Sequence, residues 1–306
     1  MDKIRDVRFD NRKLEPLGVE TLTLAELQTR ATPQQLARPE RIDFYLLILF
    51  TSGKGVHLLD FVRYEVRARS LILIQPRQVQ QYVLKPSLKG RLLLIDPVIL
   101  RPHLEPDGQS QPLTMDWPTW SKLSVGLNAE ALRVFDQVAQ ETDSSRGDDF
   151  TPKILQHLVL SLLLRIQRFA GQEQSAPTPH QGRTLDLWRM LRHEVEQSYQ
   201  RERSVRYYAR RLGYSEKTLT RACLELEGRT AKDAIDQRVA LEAKRLLAHT
   251  DWSAVDIGFH LGFSEQTNFV KFFRRTAGEA PSAFRSRFRV RSGRRSSPKG
   301  VGSLGT

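Results

Sequence analysis

The stretch "LGFSEQTNF" (residues 261–269) repeats in altered form what "LGYSEKTLT" (212–220) has already written. Aligned at Gly213 and Gly262, the copies lie 49 residues apart. After Ser215 and Ser264 the offset becomes 50, so the second copy carries one extra residue at its helix start. Leu219 then matches Phe269, Arg221 matches Lys271 and Gly228 matches Gly278. A short apolar run ending in leucine precedes each glycine, Val205–Leu212 and Ala254–Leu261. Ser253 and Asp256 have capping-box spacing at the start of the second run. Glycine accepts the left-handed backbone of a sharp reversal. Tyr214 and Phe263 are expected to plug the angle between helices, and Ser215 and Ser264 to cap the helices that follow. Helix, short turn, helix is a helix-turn-helix. Its second helix fits a DNA major groove and presents its N-terminal side chains to base edges.

Between the copies, "TAKDAIDQRVALEAKRLLAHT" (230–250) holds no Gly or Pro and reads as a stiff helix. Roughly 17 helical residues span about 25 Å. Such a rod would hold two reading heads near the ~34 Å repeat of major grooves on one DNA face.

The charge agrees with a polyanionic partner. The chain has 306 residues and a net charge of +13. Residues 1–183 hold 24 Lys+Arg against 21 Asp+Glu, and residues 184–290 hold 20 against 14. Residues 291–306 add four basic residues and no acid. A basic C-terminal region suggests nucleic acid. The length suits two domains. No apolar run reaches the ~18 residues of a membrane span, and no signal peptide opens the chain. The one cysteine, Cys223, excludes a disulfide framework and a cysteine-rich zinc site. The expectation is a cytoplasmic protein with no membrane partner.

The N-terminal half reads differently. "RIDFYLLILF" (41–50), "VHLLDFVRYEV" (56–66), "SLILIQP" (70–76), "QQYVL" (80–84) and "GRLLLID" (90–96) are strand-like runs punctuated by Gly, Pro and Ser. They predict an antiparallel sandwich or small barrel. Helical periodicity begins near Asn128. The segment 151–170 has Pro152 in its first turn and is apolar on almost every face. That much apolar surface suits a helix wedged in the domain or one half of a dimer interface, and the dimer is the expectation carried forward. "GQEQSAPTPHQG" (171–182) reads as a linker, and "SGRRSSPKGVGSLGT" (292–306) as a disordered tail.

On "YYARRLGYSEKTLTRACLELEG" and "QRVALEAKRLLAHTDWSAVDIGFHLGFSEQTNFVKFFRRTAGEAPSAFR" the sequence resembles the AraC/XylS transcriptional regulators. Arg238, Ala243, Leu246, Leu247, Ile257, Gly262, Phe263, Phe269, Phe273, Gly278, Pro281 and Arg285 stand where that family pattern has them. The match is strong over about the last 100 residues before the tail and looser over the β-rich half. It departs where Ala222 and Cys223 replace a bulky apolar residue and a Phe, and where Gly258 replaces alanine.

The resemblance implies an α+β chain. A cupin-like antiparallel β-barrel with dimerisation helices (1–172) is followed by a linker (173–183). An all-α domain (184–290) then carries two helix-turn-helix motifs joined by a long helix, with the disordered basic tail at 291–306. It implies a sequence-specific, DNA-binding transcription factor responding to a small-molecule effector, with an N-terminal arm (about 16–37) lying over the ligand. Double-stranded DNA, a second copy of the chain, the effector and RNA polymerase are the implied partners.

Candidate site residues follow from helix faces. Glu216, Lys217, Thr220 and Arg221 lie away from apolar Leu219, Ala222 and Cys223. Gln266, Thr267, Asn268 and Lys271 lie away from Phe269, Phe272 and Phe273. The family's base-reading positions fall on Lys217, Thr220, Arg221, Thr267, Asn268 and Lys271. Arg or Lys can pair with guanine, and Asn or Gln with adenine. Ser215, Ser264, Arg274 and Arg275 are the phosphate candidates. Tyr45, His57, Arg63, Tyr64, Gln80 and Tyr82 are the effector candidates.

Many cupins hold a metal with clustered histidines. Here the strands offer only His57, and His103 lies beyond them, so no metal, cofactor or catalytic residue is expected and the protein is read as no enzyme. A regulator that senses nothing, its barrel only a dimer clamp, remains an alternative. So does a cupin enzyme with a DNA-binding appendage, which the missing histidine cluster argues against.

Overall fold

Strand-like runs 41–50 and 56–66 differ in pattern, and the difference sets the layering. "LLILF" is apolar throughout, whereas "VRYEVR" alternates, as do strands buried on both faces and on one. The computed structural model describes residues 5–9, 17–83, 87–104, 120–144, 148–172 and 179–293. It divides into two units, Met1–Pro177 and Thr178–Thr306.

The first unit opens with β1 (Arg5–Val7), β2 (Val19–Thr23), α1 (Leu24–Arg30), α2 (Pro33–Leu36) and β3 (Glu40–Ile42). The strands β4 (Tyr45–Ser52), β5 (Lys54–Leu59), β6 (Val62–Arg67), β7 (Ser70–Ile74), β8 (Val79–Val83) and β9 (Lys89–Ile95) follow. Then come α3 (Pro97–Leu104), β10 (Trp120–Lys122), α4 (Val125–Ser144) and α5 (Thr151–Gln172). They form two five-stranded sheets, ordered β1-β3-β8-β5-β6 and β10-β7-β4-β9-β2. Pairing is antiparallel except between β1 and β3.

One core lies between the sheets, with Ile42, Leu59, Val66 and Tyr82 from the first and Leu46, Ile48, Phe50, Ile72 and Leu92 from the second. The second sheet is covered on its other face as well. There Leu47, Leu49, Leu71, Leu73 and Leu93 pack with Phe135 and Val138 of α4 and Leu155, Val159 and Leu162 of α5. This double burial explains the unbroken apolar run of β4.

Three sequence expectations change. Run 41–50 breaks into β3 and β4. Run 56–66 is a hairpin turning at Asp60 and Phe61, both with positive φ (46° and 72°). Asp60 is pinned there, its carboxylate accepting from the Val79 amide at 3.1 Å and the Gln78 side chain at 2.9 Å. Residues 17–37 are built into the fold rather than standing apart as an arm. Strand β2 pairs with β9 as a sheet edge, and Leu24 and Leu36 belong to the inter-sheet core.

The second unit is helical: α6 (Pro179–Ser198), α7 (Val205–Leu212), α8 (Glu216–Glu227), α9 (Ala231–His249), α10 (Ala254–His260), α11 (Gln266–Ala277) and α12 (Pro281–Gly293). Helix α6 begins inside the stretch read as linker, with Pro179 at its start where proline is tolerated. Residues 173–178 and 294–306, read as linker and tail, lie outside the described residues, although 291–293 continue α12. One core runs through all seven helices, from Leu187 and Tyr199 through Tyr208, Leu219, Ile235, Val239 and Leu246 to Ile257, Phe269, Phe273 and Phe284. Helix α9 opens on a capping box, Thr230 with Asp233. It is one unbroken helix between the two readers, and its Ile235, Val239 and Leu246 pack in the shared core. Among the described residues no helix is long and apolar enough to cross a membrane.

Candidate nucleic-acid interface

The first reader is built around Gly213. Helix α7 ends there in the left-handed conformation (φ 75°), and the Tyr214 amide donates back to the Ala209 carbonyl at 2.9 Å. Ser215 caps α8, accepting from the Thr218 amide at 3.1 Å. Leu219, Ala222 and Cys223 are buried, which leaves Glu216, Lys217 and Arg221 exposed and Thr220 half-buried. Cys223 is not a reactive thiol, since burial pushes its pKa up to about 11. Tyr214 does not plug the helix angle. It is 46% exposed.

The second reader has the same plan with tighter packing. Ser253 and Asp256 form the capping box that the spacing predicts. Phe263 is buried and fills the helix angle against Phe269 and Phe272, ring centroids 5.4 and 5.0 Å away. Gly258 lies where α10 crosses α11, and an added Cβ would stand 3.0 Å from the Phe269 Cβ, so the departure to glycine lets the helices approach. The extra residue of this copy is Glu265, which takes the N-cap position without a side-chain cap bond. Ser264 is thus exposed but not the cap. Gln266, Thr267, Asn268, Lys271, Arg274 and Arg275 are all exposed, while Phe269, Phe272 and Phe273 are buried.

Two of these side chains have internal partners. Thr267 Oγ1 lies 3.3 Å from a Glu265 carboxylate oxygen. Arg275 donates to Asp236 of α9 at 2.8 Å while remaining largely exposed. A residue that the sequence reading passed over, Leu224, continues the outward face of α8 one turn beyond Thr220 and Arg221, 49% exposed. The signal was available, since an apolar residue three and four places after two outward positions shares their face.

In the first unit the effector candidates separate. His57 faces Tyr64 on β6 and Tyr82 on β8, and the His57 and Tyr82 rings meet edge-on at 5.2 Å. Gln80 lies two residues from Tyr82 on the same face and donates to its hydroxyl at 3.4 Å. His57, Gln80 and Tyr82 are buried, and Tyr64 is partly buried beside them. Glu40, which the sequence reading did not single out, is buried opposite Gln80. Burial lowers the His57 pKa to about 4, so the ring is neutral. His57 Nε2 and Gln80 Oε1 are buried without a hydrogen-bond partner among the described residues. Strand alternation sends the other two elsewhere: Arg63 is exposed on the outer face, and Tyr45 packs against the helix-covered core. Among the described residues no group of three or more His, Cys, Asp or Glu side chains is placed to hold a metal ion.

Comparison with known proteins matches both units. A family model described as an AraC-like ligand binding domain matches residues 25–150, and a helix-turn-helix domain model matches 208–287. The chain belongs to the AraC family of transcriptional regulators. It is a DNA-binding transcriptional regulator with an N-terminal ligand-binding domain. Among its AraC-family relatives, the transcriptional activator RhaR of Cronobacter sakazakii is 23% identical, over 85% of this chain and 91% of that protein. The activator RhaS of Escherichia coli O157:H7 is 22% identical, over 79% and 85%. Among solved structures, ToxT of Vibrio cholerae is similar with a TM-score of 0.40 at 14% identity, covering 88% of this chain and 98% of that one.

Proposed function

We propose that the chain is a dimeric, effector-responsive regulator whose subunits each lay α8 and α11 into successive major grooves. Lys217, Thr220, Arg221, Gln266, Thr267, Asn268 and Lys271 would meet base edges, and Ser215, Ser264, Arg274 and the free edge of Arg275 would meet phosphates. The observation that carries this reading is the shared division of the two helices. Each turns its apolar face into one common core and leaves its polar, hydrogen-bonding face exposed on a basic unit. The long groove-facing side chains are donors, which suits guanine acceptors and phosphate alike.

Helix α5 supports the dimer. Its inner face is buried, while Phe150, Ile154 and Leu164 stay exposed with His157 and Ser161 between them. Positions 150, 154, 157, 161 and 164 follow the four-three spacing of a helix-pairing seam. The effector would lie between the sheets against His57, Gln80 and Tyr82, where His57 Nε2 and Gln80 Oε1 are buried with no hydrogen-bond partner among the described residues. An isolated acceptor in an apolar interior is costly, and a bound hydroxyl or amide would satisfy it. RhaR and RhaS are activators by name. RNA polymerase is the further partner we propose on that likeness.

Separate readers predict separate losses. Arg221→Ala and Lys271→Ala should each weaken the selected site by about 1–3 kcal/mol and relax base preference at a different position. Binding titrations against single-base variants of the site would show this. Equal losses on specific and random DNA for both variants would reject base reading.

A further inference from the structure

The turns of the two readers have similar backbones but different surroundings. Among the described residues a Cβ at Gly213 would meet nothing within 4 Å, whereas one at Gly262 would stand 2.7 Å from the Gln200 carbonyl oxygen. The loop between α6 and α7, which leads into the first reader, therefore presses on the turn of the second. Arg203 of that loop makes the specific contacts. Its Nη2 donates to the Gly262 carbonyl at 2.8 Å, and its guanidinium carbon lies 3.6 Å from the centroid of the Phe263 ring. The loop is anchored at both ends. Tyr199 is buried under Arg238, Tyr208 donates to the Glu202 carbonyl at 2.8 Å, and Lys232 of α9 donates to the Arg203 carbonyl at 3.3 Å. Lys232 also pairs with Asp236, which in turn holds Arg275 of α11.

We propose that Arg203, which lies on neither reading helix, is a positioning residue that fixes the second reader relative to the first and so sets the spacing of the DNA boxes the protein accepts. The inference rests on the two-reader function proposed above. A guanidinium suits the task because one planar group can donate to a carbonyl and stack on an aromatic face at once. Through the Phe263 ring it reaches Phe269 and Phe272, the buried side of α11. A shift of this contact would therefore tilt α11 while leaving its own exposed face intact.

The test uses full-length wild type, Arg203→Ala and Arg203→Lys. The DNAs are the two-box duplex that wild type selects from random sequence, the same duplex with two base pairs inserted between boxes, and a duplex holding the second box alone. The Ala variant is expected to lose roughly tenfold on the two-box duplex, between the scales of an exposed and a desolvated cation–π contact. It should retain single-box affinity within about twofold and discriminate less between the natural and lengthened spacings. Lys, which retains a donor but not the planar stack, should fall between. Wild-type spacing discrimination in Ala would overturn the proposal. So would parallel losses on the two-box and single-box duplexes with a matching fall in melting temperature. Should the Ala variant not fold, the Lys variant decides by the same ratio. Failure of wild type itself to select two boxes would defeat the two-reader function, and this proposal with it, before any variant is measured.

Discussion

At the residue scale, two glycines separate conformational need from packing need. Gly213 and Gly262 both hold positive φ, 75° and 76°, so any side chain at either site adopts an unfavoured backbone. Only Gly262 also abuts another segment's backbone. Gly213→Ala should cost about 1 kcal/mol. Gly262→Ala adds overpacking and should cost about 3 kcal/mol, read as chemical melts of the full chain. Equal costs would mean that the contact with Gln200 is absent in solution. His57 gives a second prediction at this scale. Its folded pKa of about 4 lies below the ordinary value of 6.5, so the unfolded chain takes up the proton first. The associated stability is complete above about pH 6.5 and is lost as pH falls toward 4. At the low end the loss approaches about 3 kcal/mol. His57→Phe should flatten this part of the N-terminal unit's melting profile, and an unchanged profile would place His57 in water.

At the element scale, α5 is amphipathic twice over. Leu155, Val159, Leu162, Leu163 and Ile166 close the core of its own unit. Ile154 and Leu164 on the outer stripe are predicted to serve the partner copy. Ile154→Glu with Leu164→Glu should leave the monomer folded and shift sedimentation from dimer to monomer. A dimer that survives both changes would move the interface elsewhere. Elements also show what the sequence exposes and what it withholds. The helix-turn-helix pair was legible because glycine, aromatic and serine recur with buried positions at helical spacing. Helix α5 was legible as too apolar for one face. The β5–β6 turn was not, since Asp60 and Phe61 are not turn-type glycines, and the turn is pinned by bonds that the Asp60 carboxylate accepts from Gln78 and Val79, eighteen and nineteen residues away. Nor was β2 legible as a sheet edge, because its partner β9 lies about seventy residues along the chain. Tyr45 and Arg63 were misplaced as pocket residues for a related reason. Alternation tells that neighbours face apart, but only register tells which face is inner.

At the scale of the whole molecule, the second unit behaves as one body because its seven helices share a core, with α9 inside it. The charged residues Asp236, Glu242 and Arg245 buried on α9 are paired rather than stranded: Arg245 with Glu242 at 3.0 Å, and Asp236 with Lys232 and Arg275. Breaking such a pair from one side costs more than the pair contributes. This fixed body is what would allow two helices 50 residues apart in sequence to demand a fixed interval on DNA. The central claim is that both helices read at once. The measurement that tests it most directly is selection of sequences from random DNA by the full-length protein, at physiological salt and with excess competitor. The account predicts a motif of two short boxes with centres about one helical turn apart. A single box, or no enrichment over competitor, would contradict it.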